Sequence, residues 1–413
     1  MNAYFLLVYF IALLLLFIRY EKKKRCFDAG SLLIVVFLVC SFATVISYRP
    51  KYEEISFFIP LIYLFIALYL SFKPILRIQP TTEIVFPKRS LVDVFSWIFV
   101  ACSFLGMATS STNVVEGLIQ VVTNESYGLE TYHNMLSNAE GAGHTISNLP
   151  MVIMNTMYAF ASLLFFVHLT YEKPNKVLVL LLGFTLFYGA IKYVSIGERG
   201  GLINRALVVL VSYCSIKEYI PEKLNKSIRI IGVVVGVLIT VPFMALTNSR
   251  FADTEEGSTN SIYNYAGQGT IFFCRCALDD NGIRYGDRTV SLFKRMLGFP
   301  NVPHNFLERR DKYPQLKIND EVFSTFVGDL AIDFGPIVAF LLILLVSFLL
   351  SNMVKQYSKR IFFHHFLLLH LSMCIIVQGA SLFQYSDAGN LTILFYLLMY
   401  IFLKYSNVYV SPN

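Results

Sequence analysis

One long polar segment, residues 248–335, carries most of the side chains that could do chemistry in this 413-residue chain. It contains a single histidine, His304. Histidine titrates near neutral pH and can take a proton from an attacking hydroxyl group. Asp329 and Asp333 stand four residues apart, so both would lie on one face of a helix as bases or as ion-pair partners. His304 and Asp329 are the predicted catalytic residues; His133 and His144, in another polar segment, compete for the role of the base.

Cationic side chains near the ends of apolar runs form a second candidate site. Gly197-Glu198-Arg199-Gly200-Gly201 joins two such runs, and Lys192 and Arg205 lie on either side of it. Glycines permit close backbone approach, and a cation within or beside a span usually faces a cavity or an anion. Arg250 follows a later run, and its planar guanidinium suits two phosphate oxygens. We predict that Lys192, Arg199, Arg205 and Arg250 bind phosphate; snorkelling or a local ion pair is the alternative.

Motifs for metals and nucleotides are missing from the sequence. No HExxH pattern, no Walker-type loop and no GxGxxG after a strand occurs, so we expect neither a metal nor a cofactor. Cys274 and Cys276 are too close in sequence for a good disulfide, and no second pair completes a zinc site. Any reaction must therefore use a substrate that is already activated.

The elements that position these residues are apolar runs. The chain is 56% hydrophobic, with a mean hydropathy of +0.59. A bilayer core about 30 Å thick needs about 20 helical residues, and runs of that length recur along the sequence. The pattern predicts an all-α polytopic membrane protein with about eleven spans, at residues 3–20, 30–48, 56–72, 91–108, 149–170, 177–196, 201–216, 228–247, 336–353, 362–381 and 390–404.

The net charge of +7 resides largely in alternate loops between spans. This is the positive-inside pattern of membrane proteins, and it argues against nucleic-acid binding. It predicts an external amino terminus, two long external loops at 110–148 and 248–335, and a cytoplasmic tail. We therefore expect three regions: spans one to eight in residues 1–247, the large loop at 248–335, and spans nine to eleven in 336–413. Within the large loop, residues 287–297 predict a short amphipathic helix at the membrane surface.

Three short motifs carry a family resemblance. They are the glycine-rich junction at 197–201, Asn248-Ser249-Arg250 after a span, and the segment Phe-Ser-Thr-Phe-Val-Gly-Asp with Asp-Phe-Gly-Pro at 323–336. Together with the many spans, they resemble Wzy-type O-antigen or capsule polymerases. His304-Asn305 is also similar to the histidine motif of the related O-antigen ligases, although Gly328 and Gly335 come later than that motif would place them.

The resemblance implies a GT-C-like membrane glycosyltransferase of the bacterial inner membrane. Such an enzyme transfers a growing glycan from undecaprenyl diphosphate to a hydroxyl of an incoming lipid-linked repeat unit at the periplasmic face. Its partners would be undecaprenyl-diphosphate-linked oligosaccharides, membrane lipids and a separate regulator of chain length. The arginines would stabilise the diphosphate as negative charge develops on it.

Two other functions remain open at this point. An O-antigen ligase would use the same chemistry on a finished chain, and the histidine spacing counts against it. A flippase or other transporter for lipid-linked oligosaccharides would be expected to show repeated halves and charges at mid-membrane. This sequence has no evident duplication, and its charges gather near the external ends of the spans.

Overall fold

The computed structural model describes residues 1–24, 27–49, 55–79, 81–124, 149–251, 257–318, 320, 322–406 and 409. The described elements are mostly α-helices, with one pair of short strands. In chain order they are α1 Asn2–Lys24, α2 Ala29–Ser47, α3 Phe58–Leu76, β1 Glu83–Val85, α4 Arg89–Thr123, α5 Leu149–His168, α6 Lys176–Ser195, α7 Arg199–Ile216, α8 Glu222–Phe251, α9 Gly257–Phe272, α10 Ser291–Met296, α11 Phe306–Lys312, α12 Thr325–Phe334, α13 Pro336–Gln356, β2 Arg360–Phe362, α14 Phe363–Gln378 and α15 Asn390–Tyr405.

The helices confirm an all-α architecture compatible with many membrane crossings. Nine of the described helices are long and apolar enough to span a bilayer. Each of the eleven predicted spans coincides with a helix; outside the nine are α8, of 30 residues, and the shorter apolar helix α14, of 16 residues. Their side chains are largely Leu, Ile, Val and Phe, which a helix exposes to lipid without cost because lipid tails are equally apolar. The helical conformation pairs the backbone groups within the segment.

The chain forms two compact units that differ from the predicted three regions. Unit 1 comprises Met1–Phe86 and Ile262–Asn407, and unit 2 comprises Pro87–Ser261 and Val408–Asn413. The limits differ because the predicted regions were drawn from hydropathy along the sequence, whereas each compact unit consists of helices that pack against one another. In unit 1, α3 packs along α13; in unit 2, α4 packs along α5 and α6.

Helix α4 corrects one predicted boundary. The span was expected at 91–108 with a loop from 110, but α4 continues to Thr123 and has 35 residues. At 1.5 Å per residue it is about 50 Å long, well beyond the bilayer core of about 30 Å. Gly117 explains part of the extension, since a side chain there would collide with the backbone of Ser195 at the end of α6. The rest of the predicted loop, with His133 and His144, lies outside the described residues.

The large polar segment is more helical than a connector. Helix α9 replaces the first part of it, and Gly267 and Gly269 bring this helix into close contact with the backbone of Thr44 and of Ala380. The predicted amphipathic helix at 287–297 is present as the shorter α10. Helices α11 and α12 follow, so the expectation of short helices in this segment is confirmed.

The single strand pair described in the structure joins two distant loops of unit 1. β1 runs parallel to β2, with Ile84 opposite Ile361. Thr82 Oγ1 donates to Ser358 O at 2.6 Å, and Glu83 N donates to Lys359 O at 2.9 Å. The two loops therefore lie at the same end of unit 1. The charge pattern predicted both loops on one side of the membrane.

This arrangement predicts the accessibility of three exposed positions in unit 1. We expect Gln79→Cys and Lys359→Cys to be protected from a membrane-impermeant maleimide in intact spheroplasts, and Lys317→Cys to be labelled. The background is the labelling of the wild-type chain, whose described cysteines are all free thiols. Labelling of Gln79→Cys but not of Lys359→Cys would contradict the shared side.

Candidate functional site

A buried group of charges organises the polar segment of unit 1. We define the arginine cluster as Arg284, Arg288 and Arg309 with the carboxylates of Asp320, Asp329, Asp333 and Asp387. Arg284 is only 1% exposed. Its guanidinium contacts Asp320 directly, and it lies 2.7 Å from Asp333 Oδ1 and 3.5 Å from Asp329 Oδ1. Burial lowers the pKa of Arg284, but Asp333, Asp320 and Asp329 outweigh burial and raise it above its usual value.

Asp320 is the common partner of all three arginines. Arg309 Nε also contacts it directly, and Arg288 Nη1 lies 3.4 Å from Asp320 Oδ1. Burial raises the pKa of Asp320, but the charges of Arg288, Arg284 and Arg309 lower it to about 2. Arg309 Nη1 then reaches Asp387 Oδ1 at 2.8 Å. A burial this deep is tolerated because each charge has partners of opposite sign.

Asp329 and Asp333 lie on one face of α12, as their spacing predicted. Asp329 Oδ1 is 3.0 Å from Arg288 Nη1, and its Oδ2 accepts a hydrogen bond from Phe383 N at 2.6 Å. Asp333 Oδ2 accepts from the backbone N–H and the hydroxyl of Thr289, each at 2.7 Å. Both carboxylates are fully buried. Because both of its carboxylate oxygens have partners, the structure favours a structural role for Asp329 over the predicted catalytic one.

Asp287 extends the charged network towards the surface. Its buried carboxylate contacts Lys294 directly, and it accepts hydrogen bonds from Lys312 Nζ at 2.7 Å and from Tyr313 Oη at 2.8 Å. Burial raises the pKa of Asp287, but the hydrogen bonds from Lys294, Lys312 and Tyr313 lower it below its usual value. These contacts hold α10, α11 and the loop between them as one piece.

His304 lies exposed at a surface pocket of about 430 Å³. Its backbone N–H donates to Glu308 Oε2 at 2.7 Å, and Asn305 caps α11 by accepting from Glu308 N at 2.9 Å. The peptide of His304 is thus fixed at the start of α11, while its imidazole lines the pocket. The other lining residues are Arg295, Phe299, Asn301, Val302, Pro303, Glu308 and Lys312.

The opposite wall of this pocket comes from the end of α10. Gly298 has a φ of +78°, which a glycine adopts without strain. Gly298 N donates to Arg295 O and Phe299 N donates to Lys294 O, each at 3.0 Å. This is the Schellman arrangement that ends helices. It turns Phe299 back towards the pocket, and Arg295 Nη1 donates to Pro303 O at 2.8 Å across the loop.

The predicted phosphate-binding residues lie largely in unit 2. A second Schellman turn ends α6: Gly197 has a φ of +68°, and Glu198 N donates to Tyr193 O at 2.8 Å. Arg199, the first residue of α7, is buried. Lys192 is half-buried near the end of α6, close enough to Arg205 and Glu198 for their charges to act on its ammonium group. The glycine junction therefore brings Lys192 and Arg205 together.

Arg205 is held by neutral groups. Its guanidinium carbon lies 4.0 Å from the ring centre of Tyr158 and 5.5 Å from that of Tyr193. Nη2 donates to Asn155 Oδ1 at 2.9 Å and to Tyr193 Oη at 3.2 Å. No carboxylate of the described residues pairs with it. A half-buried arginine with aromatic and amide neighbours keeps its full charge for an anionic ligand.

Arg250, the fourth predicted phosphate ligand, belongs to the last turn of α8, and its side chain lies outside the described part of the structure. Among the described residues, no group of three or more His, Cys, Asp or Glu could hold a metal ion.

No protein-family model, curated protein or solved structure matches this chain.

Sequence reasoning missed several residues that build the site. Asp320 and Asp387 were not singled out, because their partners are remote in sequence; Arg309 and Asp387 are 78 residues apart. Arg295 was visible only as a cation on the short amphipathic segment 287–297, and Lys312 was not singled out. The available signal was the number of carboxylates in a segment that also holds many arginines, which is typical of internal ion pairs.

Breaking the arginine cluster should destabilise the protein strongly. We expect Arg284→Ala to lower the free energy of unfolding by about 3–5 kcal/mol, because it leaves buried carboxylates without their partner. Thermal unfolding of the purified protein in detergent measures this. Lys317→Ala is the matched control, since Lys317 pairs with exposed Asp279 at 3.1 Å and such pairs contribute about 0–1 kcal/mol. Equal melting temperatures for the two variants would contradict the role of the cluster.

Asp280 should make stability depend on pH. Its carboxylate is buried and accepts from Ile318 N at 2.8 Å, and burial raises its pKa to about 6. In the unfolded chain the pKa is about 3.9, so ionisation costs stability as the pH rises from about 4 to 6. We expect Asp280→Asn to keep the Ile318 hydrogen bond and to melt at a higher temperature than the wild type at pH 7.5. The difference should vanish near pH 4; a difference that grows towards acid pH would refute this assignment.

Proposed function

We propose that the protein polymerises lipid-linked oligosaccharide repeat units, as a membrane glycosyltransferase that uses a glycan on undecaprenyl diphosphate as donor. The growing glycan passes to a hydroxyl group of an incoming lipid-linked unit. The observation that carries this proposal is the pocket beside His304, where an exposed imidazole stands next to two cations on a rigidly held loop.

The chemistry requires a base and fixed positive charge. His304 takes the proton of the attacking hydroxyl, and its exposure leaves room for a sugar. The diphosphate leaves with the electrons of the broken bond, and cations already in place lower the free energy of that transition state. The donor is activated by its diphosphate, so the reaction draws on no nucleotide.

A second cationic site suits a reaction with two lipid-linked substrates. Arg205 and Lys192 lie in unit 2, Arg205 without a carboxylate partner among the described residues, and Arg199 begins the neighbouring helix. We assign these residues, with Arg250, to a diphosphate group. Arg205 keeps its charge while Tyr158 and Tyr193 hold its guanidinium plane, which restricts its orientation.

All eleven apolar helices cross the membrane in a GT-C-like arrangement, with the polar segment on the periplasmic face of a bacterial inner membrane. The parallel pair of β1 and β2 supports this, because it joins two loops for which the charge pattern predicts the same, cytoplasmic side. The undecaprenyl chains lie among the spans, and a separate protein regulates chain length.

Deletion of the gene in its host tests the function, with surface polysaccharide separated on a gel. We expect the ladder to collapse to core plus one repeat unit, and His304→Ala to restore no polymer, since removal of a general base costs about 10²–10⁴-fold in rate. Arg205→Ala should shorten the polymer strongly. The controls Lys317→Ala and Lys223→Ala, at exposed cations of each unit, should restore the full ladder.

Three outcomes would contradict the proposal. A full ladder in the deletion strain excludes a polymerase. Loss of every repeat-bearing band, with lipid-linked polymer accumulating in the membrane, would identify a ligase. The same loss with unpolymerised units trapped inside the cell would identify a flippase.

A further inference from the structure

We infer that the pocket beside His304 is the leaving-group site of the reaction, in which Arg295 and Lys312 bind the diphosphate of the donor and Met296 and Leu297 lie in the lipid surface. This inference rests on the proposed function and names the substrate that this pocket takes.

The guanidinium of Arg295 has five N–H donors, which is more than its hydrogen bond to Pro303 O uses, so it can also bind an anion. One hydrogen bond to Pro303 O fixes its orientation, and no carboxylate among the described residues pairs with it. Lys312 lines the same pocket, and its Nζ donates to Asp287 Oδ2 and to Asn301 O, at 2.7 Å each. An ammonium group has three donors, so a third direction remains for a ligand. A guanidinium and an ammonium at one concave surface match the several oxygens of a diphosphate.

We define the lip of this pocket as Met296, Leu297 and Phe299, which are apolar and exposed; Phe299 lines the pocket, and the other two adjoin it in sequence. Met296 is 63% exposed, Leu297 is 76% exposed and Phe299 is 54% exposed. They surround the turn at Gly298 and directly follow Lys294 and Arg295. Adjacent apolar and basic side chains at a helix end are typical of segments that lie in the headgroup region of a bilayer. The occupant that fits both the lip and the cations is a diphosphate attached to a lipid chain.

The position of His304 decides between the two lipid-linked substrates. The base must reach the attacking hydroxyl, which itself must lie about 3 Å from the anomeric carbon of the donor. That carbon is bonded to the donor's diphosphate, so this diphosphate must lie within a few ångströms of the base. The acceptor's own diphosphate lies at the other end of its repeat unit. A pocket that contains both the base and the cations therefore belongs to the donor.

The transfer step balances without another reactant. The hydroxyl oxygen of the acceptor forms a bond to the anomeric carbon, and the bond from that carbon to the phosphate oxygen breaks. The electron pair of the broken bond goes to the diphosphate between Arg295 and Lys312. The hydroxyl proton goes to the imidazole of His304, and undecaprenyl diphosphate is released.

Product inhibition tests the assignment. The full-length protein in nanodiscs is supplied with lipid-linked repeat units, and undecaprenyl diphosphate is added as inhibitor. We expect Arg295→Ala to raise the inhibition constant of undecaprenyl diphosphate at least tenfold. Arg295→Lys should raise this constant less, and Lys317→Ala should leave it unchanged. Equal melting temperatures of Arg295→Ala and wild type show that the fold is intact.

Two further arms separate the lipid from the free anion. Inorganic pyrophosphate should inhibit far more weakly than undecaprenyl diphosphate. Leu297→Ser should weaken inhibition by undecaprenyl diphosphate and leave inhibition by pyrophosphate unchanged. Equal inhibition by both compounds, with no effect of Leu297→Ser, overturns the lipid contact. An unchanged constant in Arg295→Ala, while the wild type polymerises, overturns the leaving-group site alone. A wild-type protein that forms no polymer from lipid-linked units overturns the proposed function itself.

Discussion

The burial of Arg284 is the constraint from which the polar segment takes its shape. A guanidinium removed from water is costly unless carboxylates surround it, and removal of those partners costs more than the pairs contribute. Its carboxylate partners come from the loop before α12, which holds Asp320, and from the buried face of α12. Asp320 also pairs with Arg309, which reaches Asp387 in the turn before α15. These elements must therefore converge on one point. Segments that would otherwise be separate loops become a single body on the helices of unit 1.

The same constraint sets the position of the pocket. Asp287 lies three residues from Arg284 and, through Lys294 and Lys312, holds the two short helices that form the pocket walls. Those helices have six and seven residues, too few to be stable alone. Their order depends on buried ion pairs and on two helix ends, the Gly298 turn and the Asn305 cap. Two such short helices can hold a site in a fixed geometry because the Asp287 carboxylate that anchors them is buried, while His304 is exposed to a ligand.

The sequence predicted the helices of this protein better than its charge network. Apolar runs of about 20 residues indicate spans because the bilayer thickness fixes their length. The position of the β1 and β2 loops at one end of unit 1 agrees with the lysine and arginine counts. The extension of α4 was missed because its last turns are polar enough to resemble a loop. The spacing of Asp329 and Asp333 correctly placed both on one face. Their arginine partners could not be assigned, since pairing across 45 residues leaves no local pattern.

The division of the chain has a consequence for its biogenesis. Unit 1 is built from Met1–Phe86 and Ile262–Asn407, with Pro87–Ser261 of unit 2 between them. During synthesis, unit 2 can pack as soon as its last helix leaves the ribosome, and domains generally fold as they emerge. Helices α1 to α3 have to wait in the bilayer until α13 and α14 arrive. Until then the groups that these helices later bury against α13 and α14 face lipid or the insertion machinery, and this lasts for more than half of the chain's translation.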